Sequence, residues 1–225
     1  MTIRLGESDG GTVLTHTTTR DEGDFAIDAE PAALAERRRS VVDRPWVWLR
    51  QVHGAEVVVV TAENAADVCG TEADALVTAE PDLVLAVQTA DCVPITFASR
   101  VGVIAVAHAG WRGLEAGVVQ RTLEVMRSLG AESVWTSIGP HIGPECYEFG
   151  AGDLDRLARS FGDDVRATTR DGAPALDLGR ATRTALRGTN RGRARDCTAC
   201  HPERWFSHRA RGETERMATV VWQEQ

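Results

Sequence analysis

The chain has 225 residues, 43% of them hydrophobic and 26% charged, which is enough for one domain with a substantial apolar core and argues against a disordered chain. Its 33 acidic and 25 basic residues give a formal net charge of -8, so nucleic-acid binding through a basic surface is not expected. Every basic residue is an arginine, which excludes a lysine as Schiff-base partner or general base.

No targeting or membrane segment is visible in the sequence. The first residues lack the basic and then apolar pattern of a signal peptide, and the densest apolar stretch, 101–107, is too short to cross a bilayer. We therefore expect a cytoplasmic protein without a membrane partner, either a monomer or a weak homo-oligomer. Five cysteines cannot all pair internally, and in a reducing compartment thiol, metal-ligand or catalytic roles are expected for them.

The apolar pattern predicts strands and helices in alternation. Pro31 near a helix start, followed by apolar residues and an arginine face, predicts a helix over 31–42. Runs of β-branched and apolar residues, several continuous as in a sheet covered on both faces, predict strands over 46–49, 56–61, 74–78, 83–88, 94–98 and 101–107.

The second half of the chain continues this mixture. Helical spacing of Leu114, Val118, Val125 and Leu129 predicts a helix over 114–129. The remaining predictions are a strand over 132–138, helices over 151–161 and 176–187, a basic glycine-containing loop over 187–195 and a strand over 218–222. We expect one α/β (α+β) domain over residues 1–225.

Two connections between predicted strands carry reactive side chains. His53 lies in the first, within 50–54 (RQVHG), where it can point into a cleft or serve as a hydrogen-bonded structural histidine. Asp91 and Cys92 lie in the second, within 88–94 (QTADCVP), since loops at strand ends often carry function. Cys92 is a candidate nucleophile or metal thiolate. The alternative is a small buried apolar residue beside a turn-forming aspartate.

The segment 108–113 (HAGWRG) predicts a strand–turn–helix junction. The helix is expected to begin at about Leu114, which leaves backbone N–H groups near Gly113 free to bind an anion. Arg112 can add a bidentate contact to phosphate.

The segment 197–201 (CTACH) matches the c-type haem attachment pattern, but that attachment needs an exported, oxidising environment. The pair Cys197 and Cys200 also matches half of a structural zinc site, although no second pair follows it along the chain. We expect a structural pair of thiols here.

His53, Cys92 and His108 form a possible ligand set, because each stands at the end of a predicted strand. Two imidazoles and one thiolate suit a borderline-soft metal and leave a fourth position open. Zinc is the expected metal, and copper also accepts these ligands. Their spacing matches no zinc finger, so spacing alone does not establish a site.

Motifs along nearly the whole chain resemble the YfiH-like laccase-domain family, whose members are also labelled polyphenol oxidase or purine nucleoside phosphorylase. The motifs include 51–54 (QVHG), 89–94 (TADCVP), 108–113 (HAGWRG) and 197–200 (CTAC). The resemblance implies a layered α/β/β/α sandwich with mixed sheets and a zinc site at His53, Cys92 and His108. It implies phosphorolysis of adenosine, inosine, guanosine and methylthioadenosine with an adenosine deaminase activity, and older labels imply copper-dependent oxidation of phenols.

The chain departs from the family pattern at several positions that bear on substrate preference more than on the metal triad. The segment 21–25 is shorter than usual, and Arg38 matches the family's site arginine across that shortened loop. His141 and Glu145 replace residues that are often cysteine, and His208 stands where tyrosine is common.

These residues suggest a mechanism. Phosphate would be held by Arg112, by the helix start after Gly113, and by Arg38 or Arg50. Asp91 would orient a metal ligand or transfer a proton. Two alternatives differ in class: a metal-free hydrolase with Cys92 as nucleophile and His108 as base, and a non-enzymatic module that binds metal or nucleotide.

Overall fold

The computed structural model describes residues 2–191 and 196–225. In chain order its strands are β1 (Thr2–Ser8), β2 (Gly11–Thr17), β3 (Trp46–Trp48), β4 (Val57–Val60), β5 (Ala75–Thr78), β6 (Val84–Thr89), β7 (Val93–Ser99), β8 (Ile104–Ala109), β9 (Val134–Ile138), β10 (Arg166–Thr168), β11 (Pro174–Leu176), β12 (Asn190–Arg191) and β13 (Met217–Glu224). Its α-helices are α1 (Pro31–Val41), α2 (Ala65–Val68), α3 (Trp111–Ala116), α4 (Val118–Ser128), α5 (Ala151–Phe161), α6 (Leu178–Ala185) and α7 (His208–Arg211). Short 3-10 helices cover Arg20–Glu22, Pro144–Cys146 and Asp163–Val165.

The strands form two mixed sheets and a hairpin. The five-stranded sheet has the order β1-β2-β13-β6-β3, with β3 parallel to β6 and the other neighbours antiparallel. The six-stranded sheet has the order β12-β9-β7-β8-β5-β4, with parallel pairs at both edges. Strands β10 and β11 pair as a separate antiparallel hairpin.

Side-chain alternation in the six-stranded sheet separates two cores. Successive residues of a strand point to opposite faces. One face packs against the five-stranded sheet through Leu76, Ala98, Ile104 and Val106, and the other packs against α3 to α6 through Ala75, Val77, Phe97 and Ala105. Leu34 of α1 covers the outer face of the five-stranded sheet, beside Trp46 and Trp222. The layers therefore follow the order α/β/β/α, which confirms the expected sandwich of mixed sheets.

Several predicted boundaries were wrong for local reasons. The single helix over 114–129 is two helices, because Gly117 adopts a left-handed conformation (φ 89°) between α3 and α4. The first helix begins at Trp111, not at about Leu114. The helix over 176–187 begins at Leu178, where the Asp177 side chain accepts a hydrogen bond from the Arg180 N–H at 2.6 Å.

Residues 2–17 form the β1–β2 hairpin, which the sequence pattern did not indicate. Of the predicted loop 187–195, residues 192–195 lie outside the described part of the chain, and β12 occupies two of its other positions. None of the helices in the described ranges is long and apolar enough to span a membrane.

Candidate functional site

Three potential metal ligands, His53, Cys92 and His108, meet where the chain crosses between the two sheets. Cys92 lies in the turn that links β6 to β7, His53 in the loop between β3 and β4, and His108 near the end of β8. Their donor atoms all lie within 4.8 Å of one another, and Cys92 Sγ is 3.7 Å from His53 Nε2. The structure thus brings together the three residues that the sequence singled out. This donor set fits zinc or copper and leaves a fourth position for a ligand.

The backbone around these ligands adopts conformations that most residues avoid. His53 and Asp91 are the non-glycine residues with positive φ in the described ranges, at 58° and 97°. Gly110 has no room for a side chain, since a Cβ there would lie 2.8 Å from the His53 ring and 3.1 Å from Cys92 Sγ. Such strain is characteristic of functional sites, where the surrounding fold holds it in place.

Asp74, immediately before β5, organises two of the three ligands. Its buried carboxylate accepts a hydrogen bond from His108 Nδ1 at 2.7 Å. It also accepts N–H groups from Val52 at 3.3 Å, His53 at 3.0 Å and Gly54 at 2.6 Å. Because Nδ1 of His108 donates to Asp74, its Nε2 is the nitrogen left to bind a metal.

The ligands also perturb one another's ionisation. Burial opposes a thiolate at Cys92, but His108 and His53 outweigh it and lower the pKa of Cys92 to about 6. Burial likewise opposes charge on His108, but the Cys92 thiolate and Asp74 raise the pKa of His108 to about 9. Hydrogen bonds from His108 and the backbone lower the pKa of the Asp74 carboxyl despite its burial. The metal-free site is therefore a thiolate–imidazolium pair at neutral pH.

A cleft of about 790 Å³ opens over the three ligands, within the range of small-molecule sites. Its walls combine aromatic and cationic side chains. They include Trp48, Trp111, Tyr147, Arg50, Arg112, Arg209 and Arg216. Arg112 stacks on Trp111 with its guanidinium carbon 4.3 Å from the ring centroid, and Arg209 lies 5.0 Å from the Tyr147 centroid. Within the described ranges no carboxylate forms an ion pair with any of these four arginines, so the cleft suits an anion.

The predicted anion-binding residues are not all placed in this cleft. Arg50 and Arg112 line it, whereas Arg38 and Gly113 do not. The Arg38 guanidinium carbon lies 5.1 Å from the Trp48 ring centroid, and its Nε and one Nη are buried without a hydrogen-bond partner. Burial lowers the pKa of Arg38. Trp48 lines the cleft, so the Arg38 guanidinium packs against a residue of the cleft wall without lining the cleft itself.

Gly113 lies inside α3, where the absence of a side chain allows the helix to pack closely against a neighbouring loop. A Cβ at Gly113 would lie 2.9 Å from the Gly54 carbonyl oxygen, so the missing side chain lets α3 approach the loop that carries His53. The free N–H groups at the start of this helix follow Gly110, three residues earlier than the sequence indicates.

Asp91 holds neighbouring segments together. Its Oδ1 accepts hydrogen bonds from Thr198 Oγ1 and Ser207 Oγ, both at 2.6 Å, and its Oδ2 accepts the Arg209 N–H at 2.6 Å. Asp91 was expected to orient a metal ligand or to transfer a proton; the contact that orients His108 is made by Asp74. Asp91 instead fixes α7, and with it Arg209, at the edge of the cleft.

Tyr147, Trp111, Arg209 and Arg216 line the cleft but were not singled out from the sequence. Tyr147 and Arg209 are far apart along the chain from the triad motifs, so spacing could not indicate them. Asp74, in contrast, could have been identified from the sequence. It is an acidic residue at the start of the otherwise apolar predicted strand 74–78, in a sheet expected to be covered on both faces, where a carboxylate needs hydrogen-bond partners.

A family model described as multi-copper polyphenol oxidoreductase laccase matches residues 14–224. The chain belongs to this laccase-type family. Curated relatives include a purine nucleoside phosphorylase of Mycobacterium tuberculosis, 37% identical over 96% of this chain and 89% of the relative. Another is the purine nucleoside phosphorylase YfiH of Escherichia coli, 36% identical over 78% of this chain and 73% of the relative.

Solved structures of similar proteins share the fold of this laccase-type chain. YlmD from Geobacillus stearothermophilus is 27% identical with a TM-score of 0.82, and the match covers 100% of both chains. A YfiH protein of Bacillus licheniformis is 26% identical with a TM-score of 0.84, covering 94% of this chain and 93% of that one.

Proposed function

We propose that this protein cleaves purine nucleosides by phosphorolysis in the cleft above His53, Cys92 and His108, with zinc as the metal at that triad. The observation that carries the proposal is the placement of an open three-ligand cluster in one cleft with arginines that form no ion pair in the described part of the chain. Curated relatives named purine nucleoside phosphorylase, matching most of this chain, support the same reaction.

Phosphorolysis requires the enzyme to stabilise two negative charges, one on the departing purine and one on the incoming phosphate. The bond between N9 of the purine and C1′ of the ribose breaks, and its electron pair leaves with the purine, which takes up a proton. An oxygen of phosphate forms the new bond to C1′, so the products are the free base and ribose 1-phosphate. The incoming phosphate must lie opposite the departing purine, and its charge must be neutralised there.

Arg112 and Arg50 are the residues proposed to hold phosphate, because both line the cleft and neither pairs with a carboxylate in the described ranges. Arg209 is a third candidate, held in place by the bond from its N–H to Asp91. A guanidinium presents a planar pair of N–H donors that matches two phosphate oxygens. Trp111 and Tyr147 line the same cleft and add aromatic surface that a purine can contact.

Neighbouring residues fix the orientation and the protonation of the metal ligands. Asp74 keeps a proton on Nδ1 of His108 and fixes the loop of His53 through three N–H bonds. Cys92 is held as a thiolate at neutral pH by the two histidines. When bound, zinc supplies a Lewis acid in the cleft, the property that deamination of adenosine also requires. We propose adenosine deamination as a side activity.

The low pKa of Cys92 favours one alternative, a metal-free hydrolase. A thiolate beside an imidazolium is the arrangement of a cysteine nucleophile with its base. Copper-dependent oxidation of phenols at the same triad is a further alternative, favoured by the description of the family model. In the described ranges the triad is the one potential metal cluster that contains histidine, so it offers one copper position rather than several.

The test combines metal analysis of the purified protein with product chromatography after incubation with adenosine and phosphate. Phosphorolysis gives adenine and ribose 1-phosphate, and deamination gives inosine. We expect adenine formation that requires phosphate and is lost in Cys92→Ala together with the metal. Full activity of Cys92→Ala, or activity that survives removal of the metal, would contradict the proposal. Phenol oxidation that follows copper content would favour the oxidase instead.

A further inference from the structure

A second cluster of potential metal ligands lies outside the cleft. It consists of Glu145, Cys146, Cys197 and Cys200, whose donor atoms all lie within 4.8 Å of one another. We propose that these four residues bind a structural zinc ion. The ligands are separate from His53, Cys92 and His108, so this inference does not depend on the proposed reaction; the triad zinc of the proposed function enters only the total zinc count.

The distances within the cluster suit tetrahedral zinc. Cys146 Sγ lies 3.4 Å from Cys200 Sγ, and Cys200 Sγ lies 3.1 Å from Glu145 Oε1. Ligands about 2.3 Å from a tetrahedral zinc are separated from one another by about 3.8 Å. Small side-chain movements would therefore open the cluster around the ion. Four protein ligands close the coordination sphere, which is the arrangement of structural zinc rather than catalytic zinc.

Two tight backbone turns present the ligands to each other. Cys197 and Cys200 lie in one turn, closed by the bond from the Cys200 N–H to the Cys197 carbonyl at 3.2 Å. Glu145 and Cys146 lie in the 3-10 helix Pro144–Cys146. The Glu145 carboxylate folds back over Gly143 and occupies the space that a Cβ there would need. The local conformation of both segments is thus adapted to the cluster.

Two of the sulfur atoms accept hydrogen bonds, as metal-bound thiolates do, although burial raises the pKa of both Cys197 and Cys200 in the metal-free protein, so a bound cation would be needed to hold them as thiolates. The Gly143 N–H donates to Cys197 Sγ at 3.1 Å, and the Arg170 guanidinium donates to Cys200 Sγ at 3.1 Å. Hydrogen bonds of this kind orient metal ligands and stabilise their charge. Three thiolates and a carboxylate carry more negative charge than one guanidinium can balance, whereas a divalent cation with Arg170 would balance most of it.

The cluster connects two segments that form part of the cleft. Thr198, inside the cysteine turn, donates to the Asp91 carboxylate. Tyr147, next to Cys146, lines the cleft. A zinc ion at this position would cross-link the loop after β9 to the turn that precedes α7. It would hold Tyr147 and Asp91 in place without touching a substrate.

The test begins with zinc counts on protein purified under reducing conditions. We expect about two zinc ions per chain in the unmodified protein, and about one in Cys92→Ala and in the double variant Cys197→Ser/Cys200→Ser. Cys69→Ser is the matched control, because Cys69 belongs to neither cluster and, among the described residues, its thiol bonds only to the backbone carbonyls of Trp46 and Ala65. It should retain about two. An unchanged zinc count in a folded double variant would overturn the proposal.

Thiol labelling of the unmodified protein decides the question if the double variant does not fold. With zinc present, Cys146, Cys197 and Cys200 should react with a maleimide at least ten-fold more slowly than after chelation, whereas Cys69 should react equally in both. Cobalt(II) loaded into Cys92→Ala should give an intense thiolate charge-transfer band. Equal labelling of the three thiols with and without zinc would overturn the proposal. The proposal would also be overturned if the isolated protein contained a disulfide between Cys146 and Cys200 and bound no zinc after that disulfide was reduced.

Discussion

The Asp74 carboxylate lies 2.7 Å from Nδ1 of His108 and also accepts the N–H of His53, so one buried acidic group positions two of the three proposed zinc ligands. We expect Asp74→Asn to weaken zinc binding at the triad by about 10- to 100-fold, the usual effect of losing such a partner. The measurement is competition with a chromophoric chelator. Asp67→Asn is a suitable control, because this acidic residue is exposed on α2. Equal affinity in Asp74→Asn and the control would contradict the positioning role.

The low pKa of Cys92 predicts an unusual pH dependence of its reactivity in metal-free protein. Because the thiolate is the reactive form, the alkylation rate should rise around pH 6 and be nearly constant above pH 7. An ordinary thiol has a pKa of about 8.5, so its rate continues to rise over that interval. His108→Asn removes the charge that stabilises the thiolate and should move the midpoint upward. The check is iodoacetamide labelling of Cys92 followed by peptide mass analysis, and a midpoint unmoved by His108→Asn would contradict the assigned cause.

Arg112 is predicted to act on phosphate rather than on the nucleoside. In Arg112→Gln the KM for phosphate should rise by about 10- to 100-fold, since a charge-assisted hydrogen bond contributes about 1.5–3 kcal/mol. The KM for adenosine should change little. Arg121→Gln is the matched control, because Arg121 is exposed on α4 and lies outside the cleft. Steady-state kinetics with each substrate varied in turn provides the test. A change confined to the nucleoside KM would place phosphate elsewhere.

The buried His141 predicts a loss of stability in mild acid. Burial lowers its pKa, and Arg183 adds to this effect. The folded state therefore binds a proton less readily than the unfolded state, so the free energy of unfolding should fall as the pH drops below about 6.5 and be insensitive to His141 above it. Urea unfolding at pH 7.5 and pH 5.5 measures the difference. His141→Gln should show a smaller decrease, and an identical decrease in both proteins would rule out His141 as its source.

The sequence indicated the central strands and the triad because both depend on local patterns, whereas the order of the layers was implied by the family resemblance. Continuous apolar runs predicted strands covered on both faces, and β6, β7 and β8 are buried in that way. His53, Cys92 and His108 could be grouped because each stood at the end of such a run.

What the sequence did not indicate depends on contacts between distant segments. No second cysteine pair follows Cys197 and Cys200 along the chain, because their partners Glu145 and Cys146 lie about 50 residues before them and meet them only through the fold. An acidic residue in an apolar strand makes Asp74 visible as an exception, but its role depends on hydrogen-bond partners in other segments, which sequence spacing does not reveal.

Gly113 gives a last prediction, which concerns stability. A Cβ in Gly113→Ala would meet the Gly54 carbonyl oxygen at 2.9 Å, and neither backbone segment can yield without moving α3 away from the His53 loop. We expect a loss of about 1–3 kcal/mol in the free energy of unfolding, typical of overpacking, together with weaker zinc binding at the triad. In Gly152→Ala, on α5, a Cβ would meet nothing within 4 Å, so this control should lose no stability and gain up to about 1 kcal/mol from helix propensity. Denaturant unfolding of the two variants tests the prediction. If Gly113→Ala were as stable as Gly152→Ala and bound zinc normally, close packing of α3 on the His53 loop would not be required for the site.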